Sequence, residues 1–403
     1  MSTADLVAIR APTAAQFGAA WDRVHALGDA VLPLDPNAPD EHNADLLRRL
    51  RPAALLTPYP GRPDELRTIR LENAAKVPAG TDLVIATSGS TGVPKGVVIS
   101  REALKAATAA SVRRLSCVDG DPWLLCLPWH HIAGLATIRR SRAVGAEPVL
   151  HDRFDADDVA MAISTDAVRW VSLVPTQLAR LLDAGAPLSR LRGVLLGGAK
   201  AEPGLLERAR DADVRVTVSY GMTEMSGGCV YNGEPLGDTS IAVTDDGRIR
   251  LSGASIADGY HLDDDATAAS FEAGNYLTDD LGALDEHGKL VIHGRADDMI
   301  VSGGENVPAS AVAAAISQDP NIEDVAVVGI PDPDWGRRVV AVAVGRGGAM
   351  PRLEDLRTLV GRTLPRSWAP RDLVVTDRLP RTSLGKIDRP AIERLARTAL
   401  PPA

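Results

Sequence analysis

Between residues 83 and 222 short apolar runs alternate with longer amphipathic stretches, and this alternation constrains the fold more than any other feature. "LVIAT", "GVVIS", "WLLCLP", "VRWVSLV", "RGVLLGG" and "VRVTVSYG" read as strands. "REALKAATAASVRRL", "IAGLATIRRSRAVG", "PTQLARLLDAG" and "PGLLERARD" read as helices, the third opened by Pro175 and closed by Gly185. Strands that alternate with helices argue for a mostly parallel sheet covered on both faces. Upstream, "AVLPLDPNAP" at 30–39 reads as a strand entering a turn. "ADLLRRLRPAALL" at 44–56 reads as a helix stopped by Pro52 and then a strand.

Residues 241–294 break the pattern. "IAVTDDGRIRLSG" and "LGALDEHGKLVIHG" read as hairpins with D-G and H-G turns. Beyond a boundary at 295–298 the chain reads as a compact α+β unit: helix "PASAVAAAISQ", strands "IEDVAVVGI" and "RVVAVAVG", helix "LEDLRTLVGRTL" and a closing helix in "IDRPAIERLARTAL". The expected fold class is α/β. A large N-terminal domain, 1–296, holds layered β-sheets and helices with a β-rich subdomain. A small, mobile α+β domain spans 297–403.

Composition narrows the function. A net charge of −9 argues against nucleic-acid binding and against a polybasic membrane clip. Three cysteines, Cys117, Cys126 and Cys229, with no C-x-x-C pair, make neither a disulfide framework nor a zinc ribbon. No apolar run reaches the length of a membrane span, and the first ten residues do not read as a signal peptide, so the expected location is cytoplasmic. Of 44 basic residues only six are lysines, which makes each lysine worth asking about.

The sharpest local signal is "TSGSTGVPKG" at 87–96: a strand, a loop of small hydroxyl and glycine residues, then Lys95. Glycines let the backbone approach an anion, and successive N–H groups with Ser/Thr hydroxyls form a phosphate nest. It is not a P-loop, because Pro94 precedes the lysine, Gly96 follows it and a strand comes next.

This string resembles the phosphate loop of the adenylate-forming superfamily, which includes acyl- and aryl-CoA ligases, peptide-synthetase adenylation domains and luciferases. Four further segments match that family's motifs in order: "YGMTE" at 220–224, "YLTDDLG" at 276–282, "GRADDMIVSGGENV" at 294–307 and "PRTSLGKIDR" at 380–389. The resemblance runs from about residue 82 to the end. It implies ATP, Mg²⁺ and CoA as cofactors. It places Thr87, Ser88, Gly89, Ser90, Thr91, Gly92 and Lys95 on the β- and γ-phosphates, and Tyr220, Gly221, Met222 and Thr223 beside the nucleotide, with Thr223 on the α-phosphate. Glu224 is the implied Mg²⁺ ligand and Asp280 the implied ribose acceptor. Arg295 would serve ribose or phosphate, and Lys386 would be the catalytic lysine. The family usually has Gly where Asp279 sits, so the choice between Asp279 and Asp280 rests on position. Asp297 matches the hinge, and Ser302, Gly303, Gly304 and Glu305 would line a channel for the CoA thiol.

"PWHHIAG" at 128–134 resembles the family's P-x-x-H-x-x-G segment, with His131 in its slot and His130 as a structural neighbour. Thr176, Gly197, Gly198, Ser219 and Gly227 would wall a flat slot for a planar ring. Among Arg139, Arg140 and Arg142, Arg140 is the candidate for a second acidic group on the substrate. The short start and these segments look most like compact, actinobacterial-type o-succinylbenzoate–CoA ligases of menaquinone synthesis. The expected reaction is adenylation of an aromatic carboxylate and its transfer to CoA. The alternative is a diazotase that activates nitrite for an aryl amine, or another CoA-independent adenylating enzyme of secondary metabolism. The expected partner is a small aromatic acid, with no nucleic acid and no membrane; a homo-oligomer is left open.

Overall fold

The computed structural model describes residues 2–88, 94–201, 203–381 and 387–400. Its sheets follow from alternating burial. In the strand Leu6–Ile9, Leu6 and Ala8 face one core and Ile9 another. Val84 and Val98 join the first core, while Leu83, Ile85, Val97 and Ile99 join the second. Each strand therefore buries both faces. Among the described residues these strands form a seven-stranded sheet in the order Gly259–His261, Pro94–Ser100, Thr81–Ser88, Ala30–Pro33, Leu6–Ile9, Ala54–Tyr59, Arg62–Arg70. Its centre is parallel and its two ends are antiparallel.

A second seven-stranded sheet runs Val149–Leu150, Trp123–Leu125, Trp170–Leu173, Gly193–Leu196, Val216–Met222, Gly227–Tyr231, Glu234–Pro235. The first five strands are parallel and the last two turn back. Helices Arg101–Leu115 and Ile132–Ala143 lie between the sheets: Leu104, Leu135 and Ile138 share a core with Ile85 of the first sheet and Leu125 of the second. Asp40–Leu50 covers the outer face of the first sheet through Leu46 and Leu50. Ala156–Ser164, Pro175–Asp183 and Pro203–Asp211 cover that of the second through Val159, Leu178 and Ala209. Ser100 opens the helix Arg101–Leu115 by accepting from the Ala103 N–H at 3.2 Å, a cap worth about 1 kcal/mol.

The layered β-sheets expected from sequence are present, as two mixed sheets rather than one mostly parallel sheet. A run buried on both faces has the same pattern in either sheet, so periodicity does not assign it. "LVIAT" and "GVVIS" are neighbours in sequence and pair antiparallel, Thr87 opposite Lys95.

The chain divides into two compact units: 1–244, 250–278 and 284–290 in one, 245–249, 279–283 and 291–403 in the other. The strands Arg248–Ser252 and Asn275–Leu284 contribute residues to both. In the second unit the sheet order is Glu305–Pro308, Met299–Ser302, Gly336–Gly345, Ile322–Asp332, with Asp372–Val375 parallel beside Gly336–Gly345. Val339, Ala341 and Ala343 face helices Ala309–Ile316 and Leu353–Thr363. Val340, Val342 and Val344 face helix Arg389–Ala399. This unit therefore has a core on each side of its sheet.

Cys126 and Cys229 are buried and Cys117 is half-buried, all three unbridged. Burial pushes the Cys117 thiol up to about 11, with Asp121 adding to the shift, and the Cys126 thiol up to about 12. Among the described residues no helix is long and apolar enough to cross a membrane.

Candidate active site

The second sheet positions the first part of the site. Trp123–Leu125 lies between Val149–Leu150 and Trp170–Leu173. The chain leaving Trp123–Leu125 passes through helix Ile132–Ala143 toward one side of the sheet. The chain leaving Trp170–Leu173 passes through helix Pro175–Asp183 toward the other. Adjacent strands whose connections diverge open a crevice at their carboxyl ends, the usual ligand site of such sheets. His131 and Thr176 stand on the two diverging connections. Gly197 and Gly198 follow the next strand, with Gly197 against Ser219 and Gly198 against the Val174 side chain. Gly228 also packs on Ser219, and Gly227 packs on Ile132 and Ala136. His131, Thr176, Gly197 and Gly198 therefore follow the carboxyl ends of strands in one sheet, with Ser219 packed beside Gly197.

His131 is the N-cap of helix Ile132–Ala143, and its ring lies 4.4 Å from that of His130. The His130 side chain is 12% exposed, and burial lowers its pKa while Asp35, 3.7 Å away, opposes the shift. The three arginines of this helix diverge. Arg139 approaches Asp82 and the Trp21 ring, and Arg142 pairs with Asp22. Arg140 points inward and is 5% exposed. It donates to Ser111 Oγ at 2.9 Å and Ser172 Oγ at 3.3 Å and lies over the Trp123 ring. Among the described residues no carboxylate pairs with it.

The nucleotide motifs of the first unit converge by strand pairing. Lys95 lies opposite Thr87, whose Oγ1 donates to the Lys95 carbonyl at 3.4 Å. Tyr220, Gly221 and Met222 end the strand Val216–Met222, with a register shift between Tyr220 and Gly221. Thr223 and Glu224 follow in the turn Thr223–Met225. That turn is anchored by the Ala257 N–H donating to the Glu224 carbonyl at 2.8 Å and by Ser226 Oγ donating to the Ser255 carbonyl at 2.8 Å. Sequence reasoning missed Tyr260, whose hydroxyl donates to Glu224 Oε1 at 3.0 Å and whose ring lies under Lys95. The chain has only five tyrosines, and that scarcity is the signal that could have prompted the question.

In the second unit Arg295 lies between two carboxylates, 3.3 Å from Asp279 and 3.6 Å from Asp280. The Asp280 side chain is 17% exposed and that of Asp279 is 49% exposed. Ser302 is buried, and Ser302 and Glu305 pair across a two-residue hairpin turn of Gly303 and Gly304. Both glycines have positive φ, 60° and 81°, which this turn type requires. Trp335 packs on Gly303, and Glu305 accepts from Ser367 Oγ at 2.7 Å. Gly89, Ser90, Thr91, Gly92 and Lys386 lie outside the described residues, as do the side chains of Ser88 and Asp297.

A family profile described as AMP-binding enzyme matches residues 70–261, and one described as AMP-binding enzyme C-terminal domain matches residues 311–386. A probable 2-succinylbenzoate–CoA ligase of Mycobacterium tuberculosis is 43% identical over 327 residues, 77% of this chain and 84% of that protein. A 2-succinylbenzoate–CoA ligase of Listeria monocytogenes is 35% identical over 320 residues, 76% of this chain and 68% of that protein. The Bacillus subtilis o-succinylbenzoate CoA synthetase, solved with an acyl-adenylate intermediate, matches with a TM-score of 0.87 at 28% identity, over 96% of this chain and 88% of that one. The same synthetase solved with ATP and magnesium ion matches at 0.86. By sequence and by fold, the chain belongs to the AMP-binding enzymes, as an AMP-forming acid–CoA ligase.

Proposed function

We propose that this ligase activates 2-succinylbenzoate, an aromatic keto-diacid, and transfers it to CoA. The likeness to the Mycobacterium tuberculosis relative carries the substrate, and the buried Arg140, which pairs with no carboxylate among the described residues, supports a diacid. In the first step a carboxylate oxygen of the acid bonds to the α-phosphorus of ATP and pyrophosphate leaves. Charge builds on phosphoryl oxygens, so catalysis is positioning and electrostatics. Lys386 serves the attacking carboxylate and the bridging oxygen. Lys95 and the 87–92 loop hold the β- and γ-phosphates, Thr223 the α-phosphate, Asp280 the ribose hydroxyls. Arg295 serves ribose or phosphate. A magnesium ion arriving with ATP would take Glu224 as protein ligand and neutralise phosphate charge. Among the described residues no cluster of three His, Cys, Asp or Glu side chains occurs, and one carboxylate suits a hard cation that keeps phosphate and water ligands. In the second step the CoA sulfur bonds to the acyl carbon, AMP leaves and the thiol proton is lost. His131 would serve the acyl group, the Ser302–Gly304 turn would serve the CoA thiol, and Asp297 would be the hinge.

Pyrophosphate release across a panel of acids, with and without CoA, tests this reading. The expected result is turnover with 2-succinylbenzoate, rising with CoA and yielding a thioester. Turnover that ignores CoA, or that needs nitrite and an aminoaryl acid, would favour the CoA-independent alternative.

Arg140→Met tests the diacid. Losing a charge-assisted contact should raise KM for 2-succinylbenzoate about tenfold or more. It should barely change KM for benzoylpropionate, the same keto acid without its ring carboxylate. Equal changes for both acids would assign Arg140 to packing alone.

A further inference from the structure

Tyr260 joins three segments that the sequence motifs treat as separate. It sits in the strand Gly259–His261, opposite Val97 and diagonal to Lys95 on the neighbouring strand. The Lys95 ammonium lies 4.9 Å from the centroid of its ring. The ring packs edge-on to Phe271 at 5.4 Å, and Phe271 packs on Tyr276 at 4.9 Å. Tyr276 opens the ribose motif on the strand Asn275–Leu284. The Tyr260 backbone is itself anchored, its N–H donating to Thr267 Oγ1 at 2.9 Å. Its hydroxyl reaches Glu224 Oε1 at 3.0 Å.

The phenol is 8% exposed as part of a buried residue. The phenol O–H is the donor of this contact and the Glu224 carboxylate the acceptor. A donor on one carboxylate oxygen restricts rotation of the Glu224 side chain. A cation over an aromatic face is attracted by the ring's quadrupole, which restricts Lys95 in the same way. The ring therefore fixes both the acid that would meet the metal and the cation that would meet the phosphates.

We propose that Tyr260 is a positioning residue that orients Glu224 and Lys95 together and thereby sets the enzyme's affinity for magnesium-bound nucleotide. It rests on the nucleotide roles assigned above to Glu224 and Lys95.

The test is nucleotide binding by full-length enzyme, measured by calorimetry for ATP with Mg²⁺ and for ATP with EDTA, with Mn²⁺ binding read by spin resonance. Tyr260→Phe keeps the ring and deletes the hydroxyl. It should weaken Mg²⁺–ATP and Mn²⁺ binding about five- to tenfold, as expected for a lost hydrogen bond to a charged group. Binding of metal-free ATP and the melting temperature should stay close to wild type. Tyr260→Leu, which also removes the face beneath Lys95, should weaken metal-free ATP binding as well. Wild-type metal dependence in Tyr260→Phe, or an equal loss with and without metal, would overturn the proposal and leave the nucleotide roles intact. A wild-type protein that bound neither form of ATP would overturn those roles, and the proposal with them.

Discussion

Lys386→Ala should lower acyl-adenylate formation by about a thousandfold while nucleotide binding changes little, because a point charge that meets developing charge acts in the transition state. The loss should appear in kcat rather than in KM. Single-turnover formation of the adenylate measures it directly. Transfer of a supplied acyl-adenylate to CoA should survive, since the lysine serves only the first step. Lys386→Arg should restore little, because a planar fork does not reproduce a compact ammonium on a flexible stem. The chain on either side is anchored independently of that charge: Arg381 bridges Ile387, and Asp388 accepts from the Ala391 N–H at 3.0 Å to cap the last helix. Full adenylation by the alanine variant would remove Lys386 from the mechanism.

Gly221→Ala should be nearly as damaging for a different reason. A β-carbon at Gly221 would lie 2.1 Å from the Gly227 carbonyl oxygen and 2.5 Å from the Gly228 α-carbon. Both contacts are backbone, so relief requires the strands Val216–Met222 and Gly227–Tyr231 to part. That displacement reaches Thr223 and Glu224 at one end and Gly227, packed on Ile132 and Ala136, at the other. Overpacking of this kind costs about 1–3 kcal/mol. We expect melting to fall by several degrees and adenylation by about a hundredfold, a misplacement effect. Gly204→Ala is the control. Gly204 sits in helix Pro203–Asp211 with open space around its α-carbon, so that variant should match wild type. A Gly221→Ala enzyme with normal rate and melting would show that the hairpin yields without cost.

Local structure was more legible in the sequence than assembly. "REALKAATAASVRRL" becomes the helix Arg101–Leu115 without a residue gained or lost, because its cap, its length and its apolar stripe agree. The apolar run in "RVVAVAVG" read as a strand, and the structure puts a core on each face of it. The pairing of runs into two sheets was not legible, since burial on both faces carries no address. The three arginines at 139, 140 and 142 read as one basic cluster, yet a helix turns about 100° per residue and sends them to different neighbours. Among the described residues Thr87, Lys95 and Tyr220–Glu224 stand near strand ends and in a turn, but the Tyr260 contact depends on which strands pair, and that information is tertiary. Val149–Leu150, too short to carry a period, passed unnoticed although it sets the crevice by taking one side of Trp123–Leu125.

The state of the three thiols has a consequence for product yield. An acyl-adenylate is an electrophile, and any thiolate within reach competes with CoA for its acyl group. Cys229 donates to the Tyr220 carbonyl, one strand from the proposed nucleotide site, yet it is 1% exposed. With the Cys126 thiol at about 12, its thiolate at neutral pH is on the order of one part in a hundred thousand. Burial thus works against acyl transfer to Cys126 and Cys229, leaving the half-buried Cys117 as the thiol at which to look for self-acylation by mass spectrometry.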